Sequence, residues 1–485
     1  MRPARVLCAL ACAALMAGCA SVIHNDPINK PLAALPKESV QLSGDPKAHY
    51  NETAVALAFS GGGMRAAAFS FGVLSGFTES QIVTRNGPLS LKDRIDFVSG
   101  VSGGSVLAAY YGLKKQAALN DFKQRFLLRN AEESLQTNLG LANIARGLQG
   151  GINDTTQFPR WLDDNLFHGA TFGDMSKSRP KVWINASDIY DRTPFVFGPA
   201  TFTALCSDYS SYPVSMAVAA SAAVPVIFAP VVIENYRGEC PAPLPPFVNR
   251  LQQDVNAPPL IKSYADALAR YHSGQIRYVK LLDGGLVDNY GLAAFTIARL
   301  ASKTPYGPMT PPEAVRLRRL LFLVVDAGLS PSGEWSKTVA GPSGVNLIMA
   351  ASDTATGAGA VQSYSNFNDT MDEWRDSLIK WRCHLSAAER RRYGAPPGWS
   401  CRDVKFFIGR IAFDQLGPAR AAQLNAIETR FVLPPEQVDT LIEAGRDALH
   451  SNEEFRDFVD SLQVRPRQAG RVAAPQVTPR QAKVD

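Results

Sequence analysis

Gly100-Val101-Ser102-Gly103-Gly104 follows the apolar run Ile95 to Ser99 and precedes a helical pattern that begins at Ser105. A serine between glycines at such a junction is typical of a sharp turn from a strand into a helix. The turn leaves little room beside the serine and lifts its hydroxyl clear of the sheet. The N-terminus of the following helix adds a favourable potential for a developing anion. The stretch therefore predicts a nucleophilic serine, Ser102, at the end of a strand.

A second glycine-rich turn lies upstream, at Ser60-Gly61-Gly62-Gly63-Met64-Arg65. It follows the apolar run Ala54 to Phe59 and precedes another helical pattern. Backbone N–H groups in such a turn can face a developing oxyanion. One turn thus indicates a nucleophile, and the other indicates the groups that stabilise the product of its attack.

Strand-like and helical segments alternate along the chain, which predicts an α/β fold with a mostly parallel central sheet flanked by helices. Two segments interrupt this pattern as helical insertions. Residues 116–175 are one, and the Pro-rich then helical residues 234–275 are the other, either a lid or a surface loop held by Cys240. The predicted strands are 54–59, 95–99, 181–187, 276–282, 319–326 and 404–409, and the predicted helices are 64–78, 103–115, 290–302 and 435–449.

A serine nucleophile needs a base, and two kinds of candidate are present. His384 and His450 come late enough in the chain for a histidine-dependent hydrolase, but neither follows a strand closely. Asp283 ends an apolar run and precedes two glycines. Because residues past the carboxyl ends of parallel strands line the ligand crevice, we expect Asp283 on the same rim as Ser102. The alternative is an aspartate that only shapes a turn.

Four blocks in this order resemble the patatin-like phospholipase family. They are Gly-Gly-Gly-Met-Arg, Gly-Val-Ser-Gly-Gly, the segment Ala220 to Pro230 with the pattern Ala-Ser-x-Ala-x-Pro-x-x-Phe-x-Pro, and Asp-Gly-Gly. The resemblance covers roughly residues 52–300, and four ordered blocks are far more specific than one motif. It implies a three-layer α/β fold and a serine-dependent lipid acyl hydrolase of the phospholipase A or lysophospholipase type.

The resemblance also implies roles for individual residues. Ser102 would be the nucleophile and Asp283 the base, a dyad that works without histidine through an acyl-enzyme. The amides of Gly62, Gly63 and Gly103 would form the oxyanion hole. This chemistry needs no cofactor and no metal, and its substrate would be a phospholipid or a lysophospholipid.

Arg65 matches the family's arginine and would either hold the glycine-rich loop or contact a phosphate. Two other functions stay open at this point. One is a histidine-dependent carboxylesterase that acts on a non-lipid ester. The other is a catalytically silent lipid-binding lipoprotein of the cell envelope.

The N-terminal residues 1–19 have a basic start, an apolar run of 11 residues and the ending Leu15-Met16-Ala17-Gly18-Cys19. The ending resembles a bacterial lipobox, in which the cysteine is lipidated; the alternative is an ordinary cleaved secretory signal. Lipidation at Cys19 would tether the protein to a membrane surface. Ala20 after the cysteine implies the outer membrane, facing the periplasm.

The bounds of the predicted linker, body and C-terminal tail follow from local composition. Residues 20–50 contain four prolines and predict an extended linker, and residues 464–485 predict a disordered basic tail. The body, 51–463, consists of the motif core 52–300 and an extension over 301–463. The formal net charge is +6 without a long basic run in the body, so nucleic-acid binding is not indicated.

Four cysteines lie beyond the signal: Cys206, Cys240, Cys383 and Cys401. An even number in an exported chain predicts two disulfides. Sequence proximity favours Cys206–Cys240 and Cys383–Cys401, although four cysteines allow three pairings. No histidine falls at ligand spacing from them, which disfavours a metal site.

Overall fold

The computed structural model describes residues 24–34, 52–84, 87–91, 94–133, 135–136, 143, 146–147, 150–175, 179–240, 242–328 and 334–462. Its centre is an eight-stranded mixed sheet with the order β10-β9-β1-β4-β5-β8-β7, in which β6 also pairs with β5. The first five of these strands run parallel, whereas β8, β7 and β6 join through antiparallel pairs. The strands of the sheet are β1 (Thr53–Phe59), β4 (Phe97–Val101), β5 (Lys181–Asp188), β6 (Thr193–Val196), β7 (Val231–Glu234), β8 (Tyr278–Asp283), β9 (Arg319–Asp326) and β10 (Lys405–Ala412), and β2 (Gln81–Thr84) and β3 (Gly87–Ser90) form a separate hairpin.

Helices cover both faces of this sheet. Short 3₁₀ and π segments extend several of them, for example at Lys123–Leu127 and Asp163–Phe167. The α-helices are α1 (Gly63–Glu79), α2 (Gly103–Lys114), α3 (Ala118–Phe122), α4 (Gln157–Leu162), α5 (Phe172–Met175), α6 (Pro199–Ala204), α7 (Val214–Ser221), α8 (Pro246–Gln253), α9 (Pro259–Ser273), α10 (Gly285–Asp288), α11 (Ala293–Ala301), α12 (Pro311–Arg316), α13 (Val345–Cys383), α14 (Ala387–Arg392), α15 (Pro418–Asn425), α16 (Pro435–Ser451) and α17 (Glu453–Leu462).

The apolar residues of β1 show why the sheet is covered on both sides. Successive side chains of a strand point to opposite faces. Val55, Leu57 and Phe59 belong to one hydrophobic core, and the alternate residues Ala54 and Ala56 belong to a second. A strand buried on both faces needs a continuous apolar run, which is what the sequence provides here. The resulting three layers confirm the predicted α/β class.

The register brings several strand ends to one edge of the sheet. Phe59 lies opposite Gly100 on one side and Val325 on the other, and Val101 lies opposite Asn185. We call this edge, where β1, β4, β5 and β9 end, the carboxyl rim. Both glycine-rich turns therefore start at the same edge.

Most predicted elements are present, with some shifted boundaries. The strand predicted at 319–326 has those bounds, and the one at 95–99 lies two residues later. The premise that 276–282 is a parallel strand is wrong, because β8 runs antiparallel to β5. The helix predicted at 290–302 begins only at Ala293. The 39-residue helix α13 and the strand β7 were not predicted.

Segments expected at the periphery make specific contacts. Within the predicted linker, Asn25 donates to the carbonyl of Ala229 at 3.1 Å, and Leu32 donates to that of Cys206 at 2.8 Å. Residues 234–275 include α8 and α9, whose side chains Phe247 and Leu268 are buried in the main core. Both helices therefore pack onto the main core. The two disulfides are Cys206–Cys240 and Cys383–Cys401, the pairs favoured by sequence proximity.

Candidate active site

Ser102 occupies the turn between β4 and α2 with a strained backbone, φ 49° and ψ −124°. A positive φ is costly for a residue with a Cβ and is found mostly where function or packing demands it. The turn is fixed by its amide, which donates to Ser221 Oγ at 2.9 Å; Ser221 in turn donates to the carbonyl of Asn185 at 2.6 Å. The predicted elbow is therefore held by the neighbouring segment, with Ser102 only 4% exposed.

Asp283 lies beside Ser102, and its Oδ1 accepts a hydrogen bond from the amide of Gly285 at 2.8 Å. Burial raises the pKa of Asp283 to about 6, and the Gly285 amide and the Ser102 hydroxyl oppose the rise. The carboxyl group is therefore a better proton acceptor than an exposed aspartate at neutral pH while it is still mostly ionised.

The route by which Asp283 reaches Ser102 differs from the one expected. In the antiparallel pair of β5 and β8, Ala186 lies opposite Asp283. In the parallel pair of β4 and β5, Val101 lies opposite Asn185. β8 therefore starts beyond the carboxyl rim, runs in the direction opposite to β4 and β5, and ends with Asp283 at the height of Ser102 in the sheet. The expected proximity is present, but a strand of the opposite direction provides it.

The first glycine-rich turn contacts the second. A Cβ atom on Gly61 would lie 3.4 Å from Ser102 Cβ, and one on Gly103 would lie 1.9 Å from the carbonyl oxygen of Gly63. In the part of the chain that the structure describes, no backbone carbonyl accepts a hydrogen bond from the amides of Gly62 or Gly63, whereas Met64 donates to Arg430 at 2.6 Å. Unpaired amides beside a serine are suited to receive an oxyanion.

Two helices begin at this contact, which strengthens its positive potential. α1 starts at Gly63 and α2 at Gly103. The first amides of a helix have no partner within it, and the helix dipole places a partial positive charge there. The predicted oxyanion residues Gly62, Gly63 and Gly103 are thus brought together next to Ser102.

Arg65 is 1% exposed and holds the loops around the site. Its Nε donates to the carbonyl of Ala327 at 3.2 Å and its Nη1 to that of Ile427 at 2.9 Å. Burial lowers its pKa to about 10, with Asp326 and Asp353 opposing the shift. Of the two roles considered for Arg65, the contacts correspond to loop holding.

Asn289 is a site residue that sequence reasoning missed. A Cβ atom on Gly61 would lie 2.4 Å from Asn289 Oδ1, and one on Gly285 would lie 2.8 Å from it, so this side chain sits between the first turn and the Asp283 turn. Its carbonyl also accepts the Gly61 amide at 3.1 Å. The neighbouring Asp288 accepts a hydrogen bond from the amide of Ala293, the first residue of α11, at 2.7 Å.

The histidines lie elsewhere. His384 Nδ1 contacts the carbonyl of Lys380 at 2.7 Å, and His272 Nε2 contacts that of Ala242 at 3.1 Å. His384 and His450 are both exposed, whereas Ser102 and Asp283 are buried. Of the three candidate bases, Asp283 is therefore the one that lies beside Ser102.

The structure describes only part of the chain in which an anchor, a metal site or a membrane span could lie. Cys19 lies outside the described residues. Among the described residues, no group of three or more histidine, cysteine, aspartate or glutamate side chains is placed to hold a metal ion. No helix within the described ranges combines the length and apolarity needed to cross a membrane.

Comparison with known proteins identifies the family of the domain that contains this site. A sequence model of the family described as patatin-like phospholipase matches residues 57–296, a range that contains both turns and Asp283. The chain thus carries a domain of the patatin-like phospholipase family, a family of lipid acyl hydrolases.

Two further comparisons add little. The structure of VipD from Legionella pneumophila is similar with 12% sequence identity and a TM-score of 0.28, over 89% of this chain and 72% of that one. A search of curated protein sequences finds no match.

Proposed function

We propose that the protein cleaves fatty-acyl esters of phospholipids or lysophospholipids with a Ser102–Asp283 dyad. The observation that carries the proposal is the position of the Ser102 hydroxyl next to the buried Asp283 carboxyl group, beside a turn whose Gly62 and Gly63 amides have no backbone acceptor among the described residues. The family match supports lipid acyl hydrolysis in general. The dyad and the phospholipase type go beyond that match.

In the first half-reaction, Ser102 Oγ attacks the carbonyl carbon of the ester while its proton moves to the Asp283 carboxylate. The carbonyl oxygen becomes an oxyanion and accepts hydrogen bonds from the amides of Gly62, Gly63 and Gly103. The intermediate then collapses, the C–O bond to the alcohol breaks, and Asp283 returns the proton to the leaving oxygen. The acyl group remains esterified to Ser102.

In the second half-reaction, water replaces the alcohol. Asp283 accepts a proton from the water as the water oxygen attacks the acyl carbon, and the same amides hold the new oxyanion. Collapse breaks the bond to Ser102 Oγ, which recovers the proton, and the fatty acid leaves. A single oxyanion donor typically contributes roughly a hundred- to a thousand-fold in turnover.

The experiment uses the full chain with vesicles of phosphatidylethanolamine or lysophosphatidylethanolamine, and mass spectrometry of the released fatty acid. We expect hydrolysis by the wild type and a loss of about a thousand-fold or more for both Ser102→Ala and Asp283→Asn, with folding checked by circular dichroism. Activity retained in either variant would contradict the dyad. Hydrolysis of soluble esters without release of fatty acid from lipid would favour a non-lipid carboxylesterase. If the protein hydrolyses neither soluble esters nor lipids, a catalytically silent lipid-binding protein would be favoured.

We also propose that the protein is lipid-anchored through Cys19 at the outer membrane, facing the periplasm. The support is the lipobox-like sequence that ends at this cysteine. Growth with a labelled fatty acid tests this. The wild type should carry the label and Cys19→Ser should not, whereas a label retained in Cys19→Ser would contradict the anchor.

A further inference from the structure

The exposed large apolar side chains are unevenly distributed. Of the eleven in the described part of the chain, seven lie at the start of β8 or in the segments that follow β5 and β9 at the carboxyl rim near Ser102. They are Ile189, Tyr190, Tyr278, Trp335, Val339, Leu347 and Ile348. We propose that these segments form a two-sided surface that docks on a lipid bilayer containing anionic lipid, with the active site between the two sides. This inference rests on the proposed function and deepens it.

The first side follows from strand register. β5 ends at Asp188, opposite Leu281, and Ile189 and Tyr190 continue beyond it with 41% and 69% exposure. β8 runs the other way, so Tyr278, five residues before Asp283, projects about 16 Å past the level of Ser102 at 3.3 Å per residue. The turn after β5 and the start of β8 therefore protrude together from the rim.

The second side follows from the path of α13. Near its C-terminal end, Arg382 donates to the carbonyl of Leu317, before β9 begins. Further toward its N-terminus, Ser363 donates to Asp288 at 2.7 Å, and a Cβ atom on Gly285 would lie 3.5 Å from Thr356 Cγ2. From its C-terminal to its N-terminal end, the helix thus runs along the sheet towards the carboxyl rim, where Thr356 contacts the turn after Asp283.

Beyond Thr356 the helix continues past the rim. Leu347 precedes Thr356 by nine residues, which is about 13 Å at 1.5 Å per residue. Leu347 is 54% and Ile348 is 36% exposed. The preceding segment carries Trp335 at 47% and Val339 at 108% exposure. This side of the site therefore also projects apolar side chains into solvent.

The residue types of both sides fit a lipid surface. Tyrosine and tryptophan place an apolar ring and a polar tip at the boundary between water and lipid. The 15 residues from Thr338 to Ser352 carry no charged side chain, which limits the desolvation cost of contact with lipid. A water-soluble protein partner would not explain why the apolar residues flank a site for lipid esters on two sides.

Basic residues border the first side and complement anionic headgroups. Arg192 is exposed, as is Arg277, while Lys280 is half-buried. The Arg277 guanidinium lies 5.0 Å and the Lys280 ammonium 5.3 Å from the ring centre of Tyr278. Two acidic groups lie near them: Glu234 is 4.0 Å from Arg277, and Asp191, next to Arg192, is paired with Arg270. Basic groups near a membrane surface are attracted to anionic headgroups.

Docking on this surface would help a lipid substrate to reach the buried Ser102. Ser102 is 4% exposed, so a lipid has to leave the bilayer and enter the protein to reach it. A rim that rests on the headgroups places the entrance directly over the lipid. Docking therefore affects turnover of lipid in vesicles but not turnover of a soluble short-chain ester.

The test uses full chains with Cys19→Ser, so that no acyl chain is attached at that residue. Flotation is measured with phosphatidylethanolamine vesicles with and without phosphatidylglycerol, in a Ser102→Ala background that leaves the lipid intact. One variant combines Leu347→Ser with Ile348→Ser, and another combines Tyr190→Ser with Tyr278→Ser. Val255→Ser is the matched control, because Val255 is also exposed (89%) but lies away from the proposed surface. It precedes the N-terminal end of α9, whereas the C-terminal end of α9 contacts Asp188, at the end of β5, through Tyr271.

We expect each double variant to bind phosphatidylglycerol vesicles about tenfold more weakly than the Val255→Ser control. With Ser102 intact, lipid turnover in vesicles should fall by a similar factor, and kcat/KM for a soluble ester should stay within about twofold. This unchanged ester activity also shows that the variants fold.

Flotation equal to that of the control in both double variants would overturn the proposal. A loss in only one of them would contradict a surface with two sides. A wild type that floats but hydrolyses neither lipid nor ester would refute the proposed function and leave the docking surface standing, because flotation does not depend on catalysis.

Discussion

Gly103 and Gly63 approach so closely that a Cβ atom on Gly103 would lie 1.9 Å from the Gly63 carbonyl oxygen. No side chain fits at that distance, so the two turns meet only because glycine stands at position 103. The contact joins the N-termini of α1 and α2 and sets the amides of both turns beside Ser102. The proposed oxyanion site therefore depends on backbone packing more than on side-chain chemistry.

Gly103→Ala should separate the two turns. We expect a loss of about a hundredfold or more in kcat/KM for a soluble ester, since the oxyanion donors move apart, and a stability loss of about 1–3 kcal/mol. Gly357→Ala is a suitable control, because a Cβ atom on this helical glycine would meet nothing within 4 Å. Equal activity of the two variants would contradict the proposed geometry.

The rate should depend on pH through Asp283. The base must be ionised to accept the proton of Ser102, and burial raises its pKa to about 6. We therefore expect kcat/KM for a soluble ester to fall as the pH drops through about 6 and to level off above about 7. A rate that stays constant from pH 7 down to pH 5 would show that the ionisation of Asp283 does not limit the reaction.

The same raised pKa makes Asp283 a source of instability at neutral pH. The folded-state pKa, about 6, lies above the unfolded value of about 3.9, so the folded protein binds this proton more tightly. Stability from this group is present below about pH 4 and is lost as the pH rises through 6. Asp283→Asn should consequently raise the stability relative to wild type by about 1–3 kcal/mol at pH 8 and by less at pH 4.5.

Chemical denaturation at the two pH values measures this difference. The Ser102→Ala protein, which keeps Asp283, serves as a control for general effects of losing activity. A gain for Asp283→Asn that is equal at both pH values would show that it does not come from ionisation.

Ser102 stores backbone strain that glycine would relieve. Its φ of 49° and ψ of −124° suit glycine better than a residue with a Cβ. We expect Ser102→Gly to be about 1 kcal/mol more stable than Ser102→Ala by thermal unfolding, although both lack the nucleophile. If Ser102→Ala is the more stable of the two, the turn is not strained.

The sequence predicted the parts of the site that depend on local patterns. The turn at Ser102 and the strand at 319–326 follow from short-range periodicity and glycine chemistry, which one sequence contains. The sequence predicts Asp283 beside Ser102 at the end of a parallel strand, whereas in the structure Asp283 ends an antiparallel strand, because strand direction depends on how β8 pairs with β5. Pairing over this sequence distance leaves no local signal.

Other parts required the three-dimensional structure. Ser221, at the end of α7, and Asn289, just after α10, reach the site from segments that are distant in sequence from Ser102. The N-terminal half of α13 contains glycine, serine and threonine residues that favour helix weakly, and several of its apolar residues are exposed, so it lacks the periodicity of a buried helix. Its position past the rim depends on contacts near Ser363 and Arg382.

Labelling with a fluorophosphonate probe tests the central claim most directly, because the probe reacts covalently with activated serines. We predict that the wild-type chain becomes labelled on the peptide that contains Ser102, that Ser102→Ala abolishes the label, and that Asp283→Asn strongly slows it. The assay is run with and without vesicles, so that a site that needs a lipid surface is also detected. No label on the folded wild type in either condition, or a label that persists in Ser102→Ala, would contradict the account.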